Sequence, residues 1–170
     1  MRIRQATKKD FLSIAALDRE VWKQNEYSEF ASDGEHTWRL WTDYALVFCA
    51  LTDWDDRSFK QKIVGAVIAF PTVKDIYCIP KIFISSRYRG QGVGNNLLSV
   101  LLDKTDEIKT DVFLTVDPIL TSAISLYKKY GFTVLTYKEG YYRPEEDRLI
   151  MLRRSDSISR HQEVNAKNRN

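Results

Sequence analysis

The apolar run Ile82-Phe83-Ile84 leads through Ser85-Ser86-Arg87-Tyr88 into Arg89-Gly90-Gln91-Gly92-Val93-Gly94, and the apolar-periodic stretch Asn95-Asn96-Leu97-Leu98 follows at once. A strand, a tight glycine turn and a helix in that order make an anion site. Glycine lets the backbone take positive φ and approach a ligand with no Cβ in the way, and the unpaired N–H groups of a first helical turn point at phosphate oxygens. A nucleotide-triphosphate loop requires Lys-Ser/Thr after its last glycine, where Asn95-Asn96 stand here. A dinucleotide fingerprint requires Gly-x-Gly-x-x-Gly, and the spacing from Gly92 and Gly94 ends on Leu97. A plain glycine-rich turn and a site for some other phosphorylated ligand remain.

The rest of the chain alternates helices and strands around this turn. Ile3-Arg4-Gln5-Ala6 reads as a short strand, and Thr7 followed by Asp10 reads as an N-cap with an acid three residues on, which predicts a helix from about Lys8 to Trp22. Phe11, Ile14, Ala15, Leu17 and Val21 give that helix its apolar face. A second helix is expected around Trp38, Trp41 and Ala45, then strands at Leu46–Ala50, Ile63–Phe70 and Ile76–Ser85. Beyond the glycine turn come a helix at Gly94–Leu102, a strand at Val112–Val116, a helix at Thr121–Tyr130 capped by Gly131, and strands at Phe132–Thr136 and Arg148–Leu152. That order predicts an α/β (α+β) fold with a central, mixed, partly parallel sheet of about six to seven strands and helices on both faces.

Length and composition fit one domain over residues 1–154 followed by a polar tail over 155–170. The net charge of +3 lies entirely in the segment from Arg153 onward, so the body is balanced and a nucleic-acid partner is not expected. No apolar run approaches the ~20 residues of a membrane span, and the N-terminus lacks the apolar block of a secretory signal. These features predict a soluble, cytoplasmic protein, a monomer or homodimer, with no membrane partner. Cys49 and Cys78 stand in apolar strand contexts with no further Cys or His at metal-ligand spacing, so buried reduced thiols are expected and no metal.

Arg89-x-x-Gly92-x-Gly94 resembles the Arg/Gln-x-x-Gly-x-Gly/Ala signature of the GNAT (Gcn5-related N-acetyltransferase) superfamily, and Ala123-x-x-Leu126-Tyr127-x-x-x-Gly131-Phe132 follows about 30 residues later in that superfamily's order. The resemblance implies acetyl-CoA as cofactor. The N–H groups of Gly90, Gln91, Gly92, Val93, Gly94 and Asn95 would bind pyrophosphate, Arg89 would add charge, and the backbone of Ile82, Phe83 and Ile84 would pair with the pantetheine arm. It implies transfer of an acetyl group to a primary amine, a small molecule or a protein N-terminal α-amine, by direct attack in a ternary complex. Acyl transfer from a thioester needs a proton returned to the departing thiolate, and Tyr127 stands at the position of the superfamily's general acid.

The chain is also similar to ribosomal-protein N-terminal alanine acetyltransferases through Tyr141-Tyr142-x-x-x-Glu146-Asp147 and Ile150-Met151. It departs from them at Thr115, twelve residues before Tyr127, where they carry a basic-role glutamate, and at Leu120, where they carry an asparagine. Asp117, Glu35 and His36 are candidate replacements for the base. An α-amine, with a pKa of ~8 against ~10.4 for lysine, needs less help in losing its proton. By position in the superfamily, Tyr27, Phe30, Trp38, Tyr141 and Tyr142 flank the acceptor. The alternative reading is an acyl-CoA-binding regulatory module without turnover.

Overall fold

The computed structural model describes residues 1–24, 32–52 and 61–155. Seven strands, β1 (Arg2–Gln5), β2 (Leu46–Leu51), β3 (Ile63–Pro71), β4 (Tyr77–Ile84), β5 (Val112–Val116), β6 (Thr133–Lys138) and β7 (Arg148–Arg153), accompany four helices, α1 (Phe11–Trp22), α2 (Glu35–Tyr44), α3 (Val93–Glu107) and α4 (Thr121–Lys129). The strands hydrogen-bond in the order β1-β2-β3-β4-β5-β7-β6 as one mixed sheet. This is the expected α/β class, with β4 and β5 as its parallel pair. Among the described residues no helix is long and apolar enough to cross a membrane. Contacts gather the chain into two compact units, Met1–Phe70 with Lys81–Leu102, and Pro71–Pro80 with the residues from Asp103 onward.

In the first unit β1, β2 and β3 form an antiparallel meander. Val47, Cys49 and Leu51 of β2 and Ala66 and Ile68 of β3 share a core with Ile14 and Leu17 of α1, Trp38 of α2 and Phe83 of β4. Facing α3, β3 carries Gly65, where a Cβ would lie 3.1 Å from Leu97 Cδ1 and 3.2 Å from the Phe83 oxygen. A side chain there would be tighter than an ordinary van der Waals contact, and its neighbours would have to shift by a few tenths of an ångström. Val93, Leu97, Leu98, Leu101 and Leu102 are the buried stripe of α3.

Helix α1 begins at Phe11, three residues later than the Thr7 cap suggests, because the capping works in reverse. The Asp10 carboxylate reaches back to accept the Thr7 N–H at 2.7 Å and the Thr7 hydroxyl at 2.8 Å, while both its oxygens receive the Arg4 guanidinium at 2.8 Å. The Arg4 hydrogen bonds, followed by those from Thr7, hold the Asp10 carboxyl at about 2. Folded Asp10 thus binds its proton more weakly than unfolded Asp10, and its contribution to stability is present above about pH 4 and lost as the pH falls toward about 2. Asp10→Asn is expected to lower unfolding free energy at pH 7 by roughly 1–2 kcal/mol and to flatten the acid limb of stability over that window, measured by urea denaturation at several pH values.

In the second unit Tyr77–Ile79 of β4 runs parallel to Val112–Leu114 of β5. β7, the last strand in sequence, is antiparallel to β5 on one side and to β6 on the other. Val112, Leu114 and Val116 are buried, and the alternating Phe113 and Thr115 are half-buried. Arg153 closes β7: its guanidinium is buried on Asp106 at 2.8 Å and on the Tyr130 carbonyl oxygen at 2.9 Å. The parallel ladder ends at Ile79.

Candidate active site

Ser86–Tyr88 form a single 3-10 turn after β4, and the chain then passes through Gly90 at φ 73° and Gly92 at φ 78° into α3. A Cβ added at either glycine would meet nothing within 4 Å, so both face open space and the glycines are required by backbone conformation. The loop is braced from its own side chains. Gln91 Nε2 donates to the Arg87 carbonyl oxygen at 2.9 Å, Arg89 Nε donates to the Ile84 oxygen at 3.2 Å, and Arg89 Nη2 reaches Gln24 Oε1 at 3.4 Å. Arg89 therefore anchors the turn to the end of β4 as well as adding charge beside it. The first turn of α3 closes with the Asn96 N–H on the Gly92 oxygen at 3.0 Å, and helix geometry leaves the Val93 and Gly94 N–H groups without an intrahelical acceptor.

Upstream of this loop, Ser85 donates its N–H to the Val64 oxygen at 2.9 Å, which ties the end of β4 to β3. Ile82–Ile84 lie beyond the point where the β5 ladder stops. An extended ligand arm can add to such a strand edge through backbone hydrogen bonds.

Tyr127 is positioned by a helix stop. The Phe132 N–H donates to the Tyr127 oxygen at 3.1 Å and the Gly131 N–H to the Lys128 oxygen at 3.0 Å, with Gly131 at φ 86°: a Schellman motif. Its usual apolar contact is the Tyr127–Phe132 edge-to-face ring pair at 5.9 Å. The Tyr127-x-x-x-Gly131-Phe132 spacing is thus a helix terminator that fixes one phenol. Burial alone pushes that phenol up to about 12, and Tyr127 is 8% exposed.

The candidate acceptor residues divide. Tyr141 and Tyr142 are exposed on the β6–β7 connection, their rings 4.7 Å apart edge to face, and Tyr142 shares a 2.9 Å hydrogen bond with the Thr115 hydroxyl. Trp38 is not available to an acceptor. It is fully buried, its indole N–H donates to Asp18 at 3.0 Å, and its ring edges against Trp41 and Phe83. Tyr27 and Phe30 lie outside the described residues. Of the candidate bases, Glu35 sits in the first turn of α2 with Arg19 at 3.1 Å, and Asp117 accepts the Ile119 N–H at 3.0 Å in the turn before α4. Glu35 is thus held in an ion pair and Asp117 in a local turn. His36 is exposed on α2. Leu120 is half exposed at the N-cap of α4. Burial pushes both thiols, Cys49 and Cys78, up to about 11, and both are free.

Two ionic clusters escaped the sequence analysis. Asp18, 3% exposed on α1, receives Lys81 of β4 at 2.8 and 3.0 Å as well as the Trp38 indole, and Lys81 also pairs with Asp33. The signal was a carboxylate inside the apolar stripe of a helix, which requires a partner. Glu146, 4% exposed beneath the β6–β7 connection, pairs with Arg143 and with Arg148.

A glycine turn with two left-handed residues, set between a strand and a helix N-terminus on a mixed sheet, is an arrangement in which an α/β protein can present backbone N–H groups to an anion. Residues 10–132 match the family model described as "Acetyltransferase (GNAT) family", and the chain belongs to that family. A curated relative, an uncharacterised N-acetyltransferase of Dictyostelium discoideum, is 31% identical over 75 residues, 43% of this chain and 33% of the relative, so the match spans about a third of that protein's length. Among solved structures, the ribosomal-protein-alanine N-acetyltransferase of Brucella melitensis is 18% identical over 91% of this chain and 99% of its own, with a TM-score of 0.75. The ribosomal-protein-S18-alanine N-acetyltransferase of Escherichia coli is 21% identical over 90% and 92%, with a TM-score of 0.73. At these identities the likeness is one of fold.

Proposed function

We propose that the chain is an acetyl-CoA-dependent N-acetyltransferase acting on a primary amine. The observation that carries this is the Gly90–Gly92 turn: two positive-φ glycines facing open space, followed by the N–H groups that begin α3. Acetyl-CoA supplies the acetyl group as a thioester. The N–H groups of Gly90, Gln91, Gly92, Val93, Gly94 and Asn95 take the pyrophosphate, and the Ile82–Ile84 edge takes the extended arm. Tyr127 holds a proton at its phenol oxygen for delivery to the departing sulfur. Tyr141 and Tyr142 contact the acceptor.

No side chain in this reading is a strong base, so the acceptor is an amine that is partly neutral near pH 7, such as an α-amine. The test is release of free thiol from acetyl-CoA with alaninamide, an Ala-initiated hexapeptide, spermidine and kanamycin. Turnover with the first two, at least ~10-fold above that with spermidine at pH 7, supports the reading. A thermal shift with acetyl-CoA and no thiol release from any amine replaces it with a binding module. A rate still climbing steeply above pH 9 would instead mark a lysine-like acceptor.

A further inference from the structure

A strand packed on one face alone alternates apolar and polar residues, whereas a strand covered on both faces reads as an unbroken apolar run. β7 carries the second pattern in Leu149-Ile150-Met151-Leu152, and Phe113 breaks the alternation of β5 in the same way. The burial, however, is one-sided. Val112, Leu114 and Met151 are buried, while Phe113, Ile150 and Leu152 on the opposite face are only half-buried. Phe113 and Leu152 are partners in the β5–β7 register, so they stand side by side on that face. Together with Ile150 they line an open groove of about 480 Å³, within the roughly 300–1,000 Å³ of small-molecule sites.

The sides of the groove are firm. One is the turn between β3 and β4, where the Ile76 oxygen accepts both the Thr72 N–H and the Thr72 hydroxyl at 2.9 Å. The Asp75 oxygen ties the same turn to the Thr110 hydroxyl at 3.3 Å. On the β6 side the register shifts between Val134 and Thr136, which leaves Leu135 unpaired with β7 and 62% exposed beside the groove.

Three charged residues border this space, Lys74, Asp111 and Arg154. Asp111 is fully engaged: one oxygen accepts Arg154 at 2.9 Å and the other the Ser155 N–H at 2.9 Å. Lys74, exposed and in no ion pair among the described residues, is the uncompensated charge. Asp75 and the acids of the β6–β7 connection, Glu139, Glu145, Glu146 and Asp147, do not border the groove. Tyr141 does, but that connection leaves the sheet at the carboxyl end of β5, whereas Asp111 and Arg154 stand at its amino end. The Thr72 hydroxyl is committed to its own turn, so an apolar surface with one cation at its edge is what a ligand meets.

We propose that this groove binds an apolar monocarboxylate, a small acid of the medium-chain fatty type, with its carboxylate on Lys74 and its hydrocarbon on Phe113, Ile150 and Leu152 beside Leu135. One cation matches one negative charge, and the apolar lining matches a saturated chain. The proposal is independent of the acetyltransferase reading.

The experiment is calorimetry on the full chain without acetyl-CoA, using octanoate and, as its cationic counterpart, octylammonium. Octanoate binds saturably with a Kd of about 1 mM or tighter, and octylammonium at least ~10-fold more weakly. Lys74→Met brings the two within about threefold of each other. Leu135→Asp weakens octanoate at least ~10-fold, through a lost apolar contact and a like charge. Both side chains are exposed, so neither variant disturbs the core. No saturable binding of octanoate, equal binding of the two amphiphiles to the wild-type protein, or a preference that survives Lys74→Met overturns the proposal. So does a dimer in sedimentation that Leu135→Asp separates and octanoate does not, because a second copy of the chain then covers this face. Each of these outcomes leaves the acetyltransferase reading standing, since acetyl transfer is not part of the measurement.

Discussion

Tyr127→Phe is expected to cut kcat at least about 100-fold while the affinity for acetyl-CoA stays within about twofold. The variant removes one oxygen and keeps the ring, so the edge-to-face contact with Phe132 and the helix stop that depends on it survive. Thermal stability therefore serves as the internal control. The raised pKa poses an objection: a phenol at about 12 is a weaker acid than an ordinary thiol at ~8.5, so the proton transfer would run uphill. Burial answers it, because the same desolvation that disfavours a phenolate disfavours a thiolate. Burial pushes the chain's own thiols, Cys49 and Cys78, up to about 11 in the same direction. A thiolate departing in comparable surroundings is close to matched with Tyr127. The phenol also stays protonated far into the alkaline range, so kcat should show no basic limb below about pH 11. Turnover retained within about twofold in Tyr127→Phe would remove this side chain from the chemistry.

The sequence exposes the parts of this site that depend on local backbone. Gly90, Gly92 and Gly131 all take positive φ, a demand a single residue type announces. Tyr127 was legible for the same reason, since its helix, cap and following aromatic lie within a few residues. What the sequence hides is pairing at a distance. Strand–helix alternation is silent on β7 entering between β5 and β6, because that choice depends on which edges remain open once the rest has paired. Trp38 shows the limit from the other side: its helical spacing with Trp41 fits a core face and a pocket wall equally, and Asp18, twenty residues away in sequence, decides for the core by accepting the indole N–H. Thr115 on its own looks like a lost function. Its hydroxyl meets that of Tyr142, twenty-seven residues on, a pairing that no local pattern announces.

The glycine turn yields the second large effect, and a matched pair of substitutions separates its two causes. Asn and Asp have nearly the same shape and both tolerate the left-handed region better than other residues with a Cβ. A side chain at Gly92 starts into open space, so neither variant is expected to unfold the protein. Gly92→Asn then reports strain and crowding and should weaken acetyl-CoA binding only about fivefold, within the ~1 kcal/mol that a tolerated φ of this kind costs. Gly92→Asp adds a negative charge beside a pyrophosphate. At ~5 Å and an effective dielectric of ~20 a pair of like charges costs about 3 kcal/mol, so Kd should rise at least about 100-fold. The excess of Asp over Asn is electrostatic and should shrink as salt is raised from about 0.05 to 0.5 M, whereas the Asn effect should not move. Calorimetry with acetyl-CoA and with dephosphorylated pantetheine makes the assignment specific: the pantetheine affinity should be the same in both variants, because it presents no phosphate to the turn. Equal losses for Asp and Asn would mean that the turn at Gly90–Gly94 shapes the fold without holding the anion.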